Sequence, residues 1–187
     1  MSGELPAPET RYEGDWLRVV RRGKWEYAER THGAGMAVVI VAVTPGDGLL
    51  FVEQFRVPTG SRTIELPAGL VGDLDQADTF EDATRRELVE ETGWEAAGVE
   101  RLVVGPTSPG MSNERAAFMR ATGLRRVGPG GGDENEDIVV HEVPRGEAAA
   151  WLARKSAEGC EVDLKAWACL WLATHAFDGT ELVSATR

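Results

Sequence analysis

Three glutamates, Glu87, Glu90 and Glu91, constrain this chain more than any other feature of it. They lie in Gly72–Trp94, which reads GDLDQADTFEDATRRELVEETGW. Thr79 stands where an N-cap belongs, and Asp82 takes the place that a capping box gives to Glu or Gln. Gly93 stands where a helix commonly ends in the left-handed conformation. The spacing therefore predicts a helix from Thr79 to Thr92. At about 3.6 residues per turn, the three acids fall on one face of it, at i, i+3 and i+4. Stacked acids repel one another, and Arg86, four residues before Glu90, is a local counter-charge for only one of them. The plainest reading is a solvated acidic surface beside the basic pair Arg85-Arg86. The other is a cation site, because crowded carboxylate oxygens are what Mg²⁺ takes, with water filling its remaining positions.

The remainder of the chain has enough apolar residues to bury such a helix. Of 187 residues, 42% are hydrophobic and 27% charged, which suits one globular domain with a small appended piece. The longest apolar stretch, Met36–Val43, is strand-length and far short of the roughly 18 residues that span a bilayer. No membrane association is expected. The N-terminus, MSGELPAPET, has no basic start and no apolar region, so no signal peptide is expected either. Cys160 and Cys169 form no framework or metal spacing and read as reduced thiols of a cytoplasmic protein, Cys169 in the core. The net charge of −11 argues against a nucleic-acid partner. An anionic substrate would have to be met locally, by a metal or by a few placed arginines.

Along the chain, no regular structure is expected in residues 1–10, and two or three short strands are expected in 11–31 around the turn Arg22-Gly23. Met36–Thr44 reads as a strong strand ending at Pro45–Gly48, with Leu49–Arg56 as its hairpin partner. A loop at 57–63, a short strand Ile64–Pro67 and a loop at 69–78 precede the acidic helix. Strands are expected at 99–105, 115–122 and 137–143, and helices at Arg145–Glu158 and Leu164–Phe177. In the last helix, Leu164, Trp167, Ala168, Trp171 and Thr174 share one stripe and are expected to face the core. By composition alone, Gly128–Gly132 reads as a flexible linker.

The pattern Gly72, five residues, Asp78, seven residues, then Arg86-Glu87-Leu88-Val89-Glu90-Glu91-Thr92-Gly93-Trp94 resembles the Nudix box. It departs from the box in two ways. Asp78 stands where the family has Glu, and Gly69, which directly follows Pro67-Ala68, lies about three residues further from the helix than the family's loop glycine. Beyond the box, Glu53-Gln54-Phe55-Arg56 with Glu65-Leu66-Pro67-Ala68-Gly69 resembles the "EQFR … ELPAG" signature of the ADP-ribose pyrophosphatase-like branch. Ser108-Pro109-Gly110 with Ser112 and Glu114, the acidic run Asp133–Asp137 before IVVHEVP, and Lys24-Trp25-Glu26 with Arg30 are similar to other elements of that branch.

The resemblance implies an α/β fold: a Nudix α/β/α sandwich with a mixed β-sheet (34–187), preceded by a small β-rich N-terminal dimerisation domain (1–33). It implies Mg²⁺, or Mn²⁺, held by Glu87, Glu91 and the backbone carbonyl of Ala68, with Glu90 ligating or orienting. Arg56 would pair with a diphosphate. Trp25 would stack on the base, across the interface of a homodimer whose N-terminal domains are exchanged. Arg30 and Glu114 would contact base, phosphate or ribose. Glu134 and Glu136 are the late catalytic acids. Glu136 is the preferred proton acceptor because it is nearer the following strand, and Glu90 is the next candidate.

The activity implied is hydrolysis of a nucleoside diphosphate sugar, first ADP-ribose to AMP and ribose 5-phosphate, by water attacking phosphorus while a carboxylate takes its proton. GDP-mannose or another nucleotide sugar is the nearest alternative. A non-catalytic nucleotide sensor of the same fold is the alternative of another class, disfavoured because all three helix glutamates remain. In the bland readings, Trp25 packs a dimer seam and Arg56 is a surface partner of Glu53 or Glu65. His32, His141 and His175 form no constellation.

Overall fold

The computed structural model describes residues 5–32, 35–72, 77–132 and 136–175. The chain runs through β1 (Glu9–Glu13), β2 (Leu17–Arg22), β3 (Trp25–Arg30), β4 (Met36–Ala42), β5 (Gly48–Arg56), β6 (Ser61–Glu65) and β7 (Ala68–Leu70). It continues through α1 (Phe80–Thr92), β8 (Trp94–Pro106), β9 (Arg115–Arg126), β10 (Val139–Pro144), α2 (Ala148–Ala157), β11 (Glu161–Val162) and α3 (Leu164–Leu172), with a 3₁₀ turn before α2. Strands β1, β2 and β3 form an antiparallel sheet ahead of the core. Two mixed four-stranded sheets follow, ordered β7-β4-β9-β8 and β10-β5-β6-β11.

β4 and β5 are buried on both faces, so neither shows the alternation of a half-exposed strand. Val39, Val41, Leu49 and Phe51 point into one cluster with Ala148 and Leu152 of α2 and Ala166, Cys169 and Leu172 of α3. Val38, Ile40 and Leu50 point the other way, to Ala83 and Leu88 of α1. The result is helix, strands, helix: the α/β/α sandwich that the resemblance implied. Among the described residues no helix is long and apolar enough to cross a membrane.

Three expectations are corrected. Residues 9 and 10 already belong to β1, where Glu9 and Thr10 pair with Arg21 and Val20. β4 and β5 are consecutive but do not form a hairpin beyond the bridge Val43–Leu49. Each fills both of its edges elsewhere, β4 with β7 and β9, β5 with β6 and β10. The stripe of α3 points outward, with Leu164 82%, Trp167 36% and Trp171 44% exposed. The small residues Ala166, Cys169 and Ala173 face the strands instead and allow a close approach, while Trp171 stacks on His175. Both cysteines are free, and burial pushes the Cys169 thiol up to about 12.

The acidic helix has the ends predicted for it. Thr79 Oγ1 accepts from the Asp82 backbone N–H, Asp82 Oδ2 accepts from that of Thr79, and Gly93 is left-handed with φ 73°.

Glu53, buried in β5, ties four elements together. Its carboxylate accepts from Arg62 Nε at 2.7 Å and Lys155 Nζ at 2.8 Å, and lies 2.9 Å from His141 Nε2. Burial alone would raise the Glu53 pKa, but hydrogen bonds from Lys155, Arg62 and His141 outweigh it and hold it at about 2. A carboxylate depressed in the folded state contributes stability that is complete above its unfolded value and lost as pH falls through the folded one. The denaturation midpoint should therefore fall as pH drops from about 4.5 towards 2. Glu53→Gln should lower stability at pH 7 by roughly 1–3 kcal/mol and flatten that acid dependence. Urea titrations of both proteins across this window check it; parallel curves would contradict it.

Candidate functional site

α1 buries Ala83, Thr84 and Leu88, and this orientation carries Glu87 and Glu91 against β7. Glu91 is only 4% exposed, and its Oε2 accepts from the Ala68 backbone N–H at 3.0 Å. The Glu87 carboxyl lies on Gly69, where an added methyl group would overlap it. Gly69 is thus the glycine that the acids require. Gly72, which satisfies the box spacing, has φ 76° and serves a turn.

Arg86 organises the acids more widely than its spacing suggested. Its Nη1 lies 2.6 Å from Glu87 Oε1 and 3.5 Å from Glu90 Oε2. Its Nη2 donates to the Leu70 carbonyl at 3.2 Å and lies 3.5 Å from Asp78 Oδ2, a buried atom that accepts no hydrogen bond among the described residues. Glu90 itself turns to solvent, its side chain 48% exposed.

Burial first, then the charges of Glu87 and Glu136, push Glu91 up to about 8, against the Ala68 N–H and Arg56, which lower it. Burial likewise pushes Glu87 up to about 6; Arg86 opposes it, and Glu90 and Glu136 add to it. Acids so placed favour a proton or a cation. The oxygens of Glu87 and Glu91 and the carbonyl of Ala68 suit a hard divalent cation in donor chemistry. Among the described residues, however, no three His, Cys, Asp or Glu side chains are gathered into a ready-made metal site.

Gly128–Gly132 is not a free linker but is bound to the end of α1. Val127 and Gly128 donate to the Gly93 carbonyl at 2.8 and 3.1 Å, Gly131 to that of Glu91 at 2.9 Å, and Gly132 to that of Glu90 at 3.0 Å. The last carbonyls of a helix have no partner within it, and this run supplies donors. A methyl group on Gly93 would strike the Gly128 carbonyl, and one on Gly130 would strike the backbone of Glu91 and Thr92. With φ of 71°, 114° and 81°, Gly130, Gly131 and Gly132 follow a path closed to most side chains. Glu136, beyond the run, is exposed yet close enough to raise both Glu87 and Glu91. Glu134 lies outside the described residues.

Arg56 pairs with Glu65, Nε to Oε2 at 2.8 Å, and its charge also reaches Glu91. Arg30 and Glu114 bind each other at 2.7–2.8 Å. That pair fastens β3 to the loop 107–114, as do Ala28 N–H to Met111 O and Asn113 N–H to Ala28 O. Trp25, 61% exposed, lines a cavity of about 320 Å³ at this seam with Leu5, Arg22, Tyr27, Pro109 and Gly110. The predicted residues therefore divide into an acidic centre (Ala68, Glu87, Glu91, Glu136, Arg56, with Glu90 at its edge) and a seam (Trp25, Arg30, Glu114). Sequence reasoning missed Tyr27, which Trp25 at i−2 on the same strand face signals.

Against known proteins, a model of the NUDIX domain matches residues 33–167. The chain is 33% identical over 120 residues to a methanol dehydrogenase activator of Bacillus methanolicus, covering 64% of this chain and 63% of that one. It is 41% identical over 120 residues to the ADP-ribose pyrophosphatase of Mycobacterium tuberculosis, covering 63% and 56%. It thus spans less than two thirds of the length of these relatives. A crystal structure of an ADP compounds hydrolase superposes with a TM-score of 0.70 at 21% identity over 90% of both chains, a likeness of fold.

Gly69→Ala should crowd the Glu87 carboxyl and lower the melting temperature by roughly 3–10 °C, as overpacking typically does. Combining it with Glu87→Ala should recover most of that loss. Thermal melts of the single and double variants check this, and no recovery in the pair would contradict the packing described.

Proposed function

The chain belongs to the NUDIX family, and on that premise we propose that it hydrolyses the diphosphate of a nucleoside diphosphate sugar, ADP-ribose first, to AMP and ribose 5-phosphate. The observation that carries this reading is the convergence of Glu87, Glu91, Glu136 and Arg56 at one place, with both helix acids held above the ordinary carboxylate range. A divalent cation, Mg²⁺ or Mn²⁺, held by Glu87, Glu91 and the Ala68 carbonyl would neutralise diphosphate oxygens and polarise the phosphorus.

The protein's own groups do the rest. Arg56, held in place by Glu65, presents a guanidinium to the diphosphate. Water forms a bond to phosphorus while the bridging P–O bond breaks, and Glu136 takes the water's proton. Glu90, at the solvent edge, orients the others through Arg86. No nucleophilic side chain is required. Residues 1–33 act as a small dimerisation domain and 34–187 as the hydrolase domain. Trp25 stacks on the base, across the interface of a homodimer, while Arg30 and Glu114 hold the seam in which that base lies. The protein works in the cytoplasm.

Product formation from ADP-ribose, GDP-mannose and UDP-glucose with saturating Mg²⁺ tests the reading. ADP-ribose should give the highest kcat/KM; a clear preference for GDP-mannose would move the substrate, and turnover of none would sink the activity. Glu91→Gln should abolish turnover yet melt no lower than wild type, since the amide keeps the shape and cannot take on the charge that burial opposes. Activity within a few-fold of wild type would contradict its role. Trp25→Ala should raise KM far more than it lowers kcat, with a loss of roughly 1–3 kcal/mol. An unchanged KM in a monomeric variant would instead make Trp25 a packing residue.

A further inference from the structure

The segment that presents Glu136 is held from two sides, and the reaction as drawn uses neither hold. On one side, Gly131 and Gly132 are bound to the carbonyls that end α1. Gly132 lies directly under Glu136, so that an added methyl group would strike both the Glu136 Cβ and a carboxylate oxygen, with Ile138 Cδ1 at 3.0 Å. The Ile138 N–H donates to the Gly131 carbonyl at 3.4 Å. On the other side, Asp137 Oδ2 lies 3.2 Å from Arg62 Nη1. Arg62 is itself anchored on buried Glu53, through Nε to the carboxylate at 2.7 Å and Nη2 to the carbonyl at 3.3 Å. An exposed carboxylate on an unanchored loop samples many positions, whereas a proton acceptor has to stand within reach of one water.

We propose that Gly132 and the Arg62–Asp137 pair are positioning elements for Glu136. Bare backbone at 132 leaves the space in which the carboxylate lies, and Arg62 fixes the next residue to the Glu53 network. The acceptor is thereby set by the same carbonyls that end the acid-bearing helix. This rests on the reading of Glu136 as the proton acceptor. The positioning elements act only through Glu136, so their effect must vanish once its carboxylate is gone.

The test is a set of double-mutant cycles on ADP-ribose hydrolysis with saturating Mg²⁺, using Gly132→Ala, Asp137→Ala and Glu136→Gln. A methyl group at Gly128 meets nothing within 4 Å, so Gly128→Ala serves as the control and should keep wild-type kcat. Gly132→Ala should lower kcat roughly 10- to 100-fold and Asp137→Ala roughly 3- to 10-fold, both with KM nearly unchanged. In the Glu136→Gln background neither should cost more than about twofold. The Asp137 side chain is 86% exposed and can be truncated without disturbing the core, so its cycle decides the matter if Gly132→Ala folds poorly. Losses that multiply with that of Glu136→Gln, or wild-type kcat in both variants beside an impaired Glu136→Gln, overturn the positioning role alone. A loss at Gly128→Ala equal to that at Gly132→Ala overturns it as well. Full activity of Glu136→Gln overturns the proton-acceptor reading, and the positioning role with it.

Discussion

A carboxylate withdrawn from water must find donors, a cation or a proton. Glu91 finds one donor, the Ala68 N–H, and Glu87 finds the Arg86 guanidinium. Burial still outweighs both; the charges of Glu87 and Glu136 raise Glu91 further, and those of Glu90 and Glu136 raise Glu87. The surrounding structure follows from this tension. Gly69 has no side chain because Glu87 occupies the space, and Arg86 spreads its charge over Glu87, Glu90, Asp78 and the Leu70 carbonyl. Such a centre is poised for a ligand that brings positive charge.

Both ends of α1 are used. The capping box at Thr79 and Asp82 starts the helix in register, and the glycine run at 128–132 takes its last carbonyls. That second contact joins the acid-bearing helix to the segment carrying Glu136, so the two halves of the acidic centre share one backbone scaffold. The Glu53 network does the same from the other flank, linking β5, β6, β10 and α2 to Asp137 through Arg62.

Periodicity revealed the acidic helix with its caps and the three acids on one face, because these follow from local spacing and backbone chemistry. The resemblance supplied the other candidate residues, and the fold it implied is the one observed. What remained hidden depends on tertiary partners. Nothing local says that Glu53 of "EQFR" is an internal anchor while Glu65 holds Arg56, since either carboxylate is close enough in sequence to pair with the arginine. The glycine run looks like linker until the carbonyls it satisfies are known. The tryptophans of α3 follow core spacing, yet the helix packs its small residues against the strands, a choice that only the tertiary partners fix.

Half-buried Glu87 and buried Glu91 are proposed to form a cation site. Binding of Mn²⁺ to the substrate-free protein, followed by loss of the free-ion electron paramagnetic resonance signal, tests it most directly. Saturable binding is predicted for the wild-type protein, weakened by roughly tenfold or more in Glu87→Gln and in Glu91→Gln. Failure to bind, or binding that neither substitution weakens, would contradict the account.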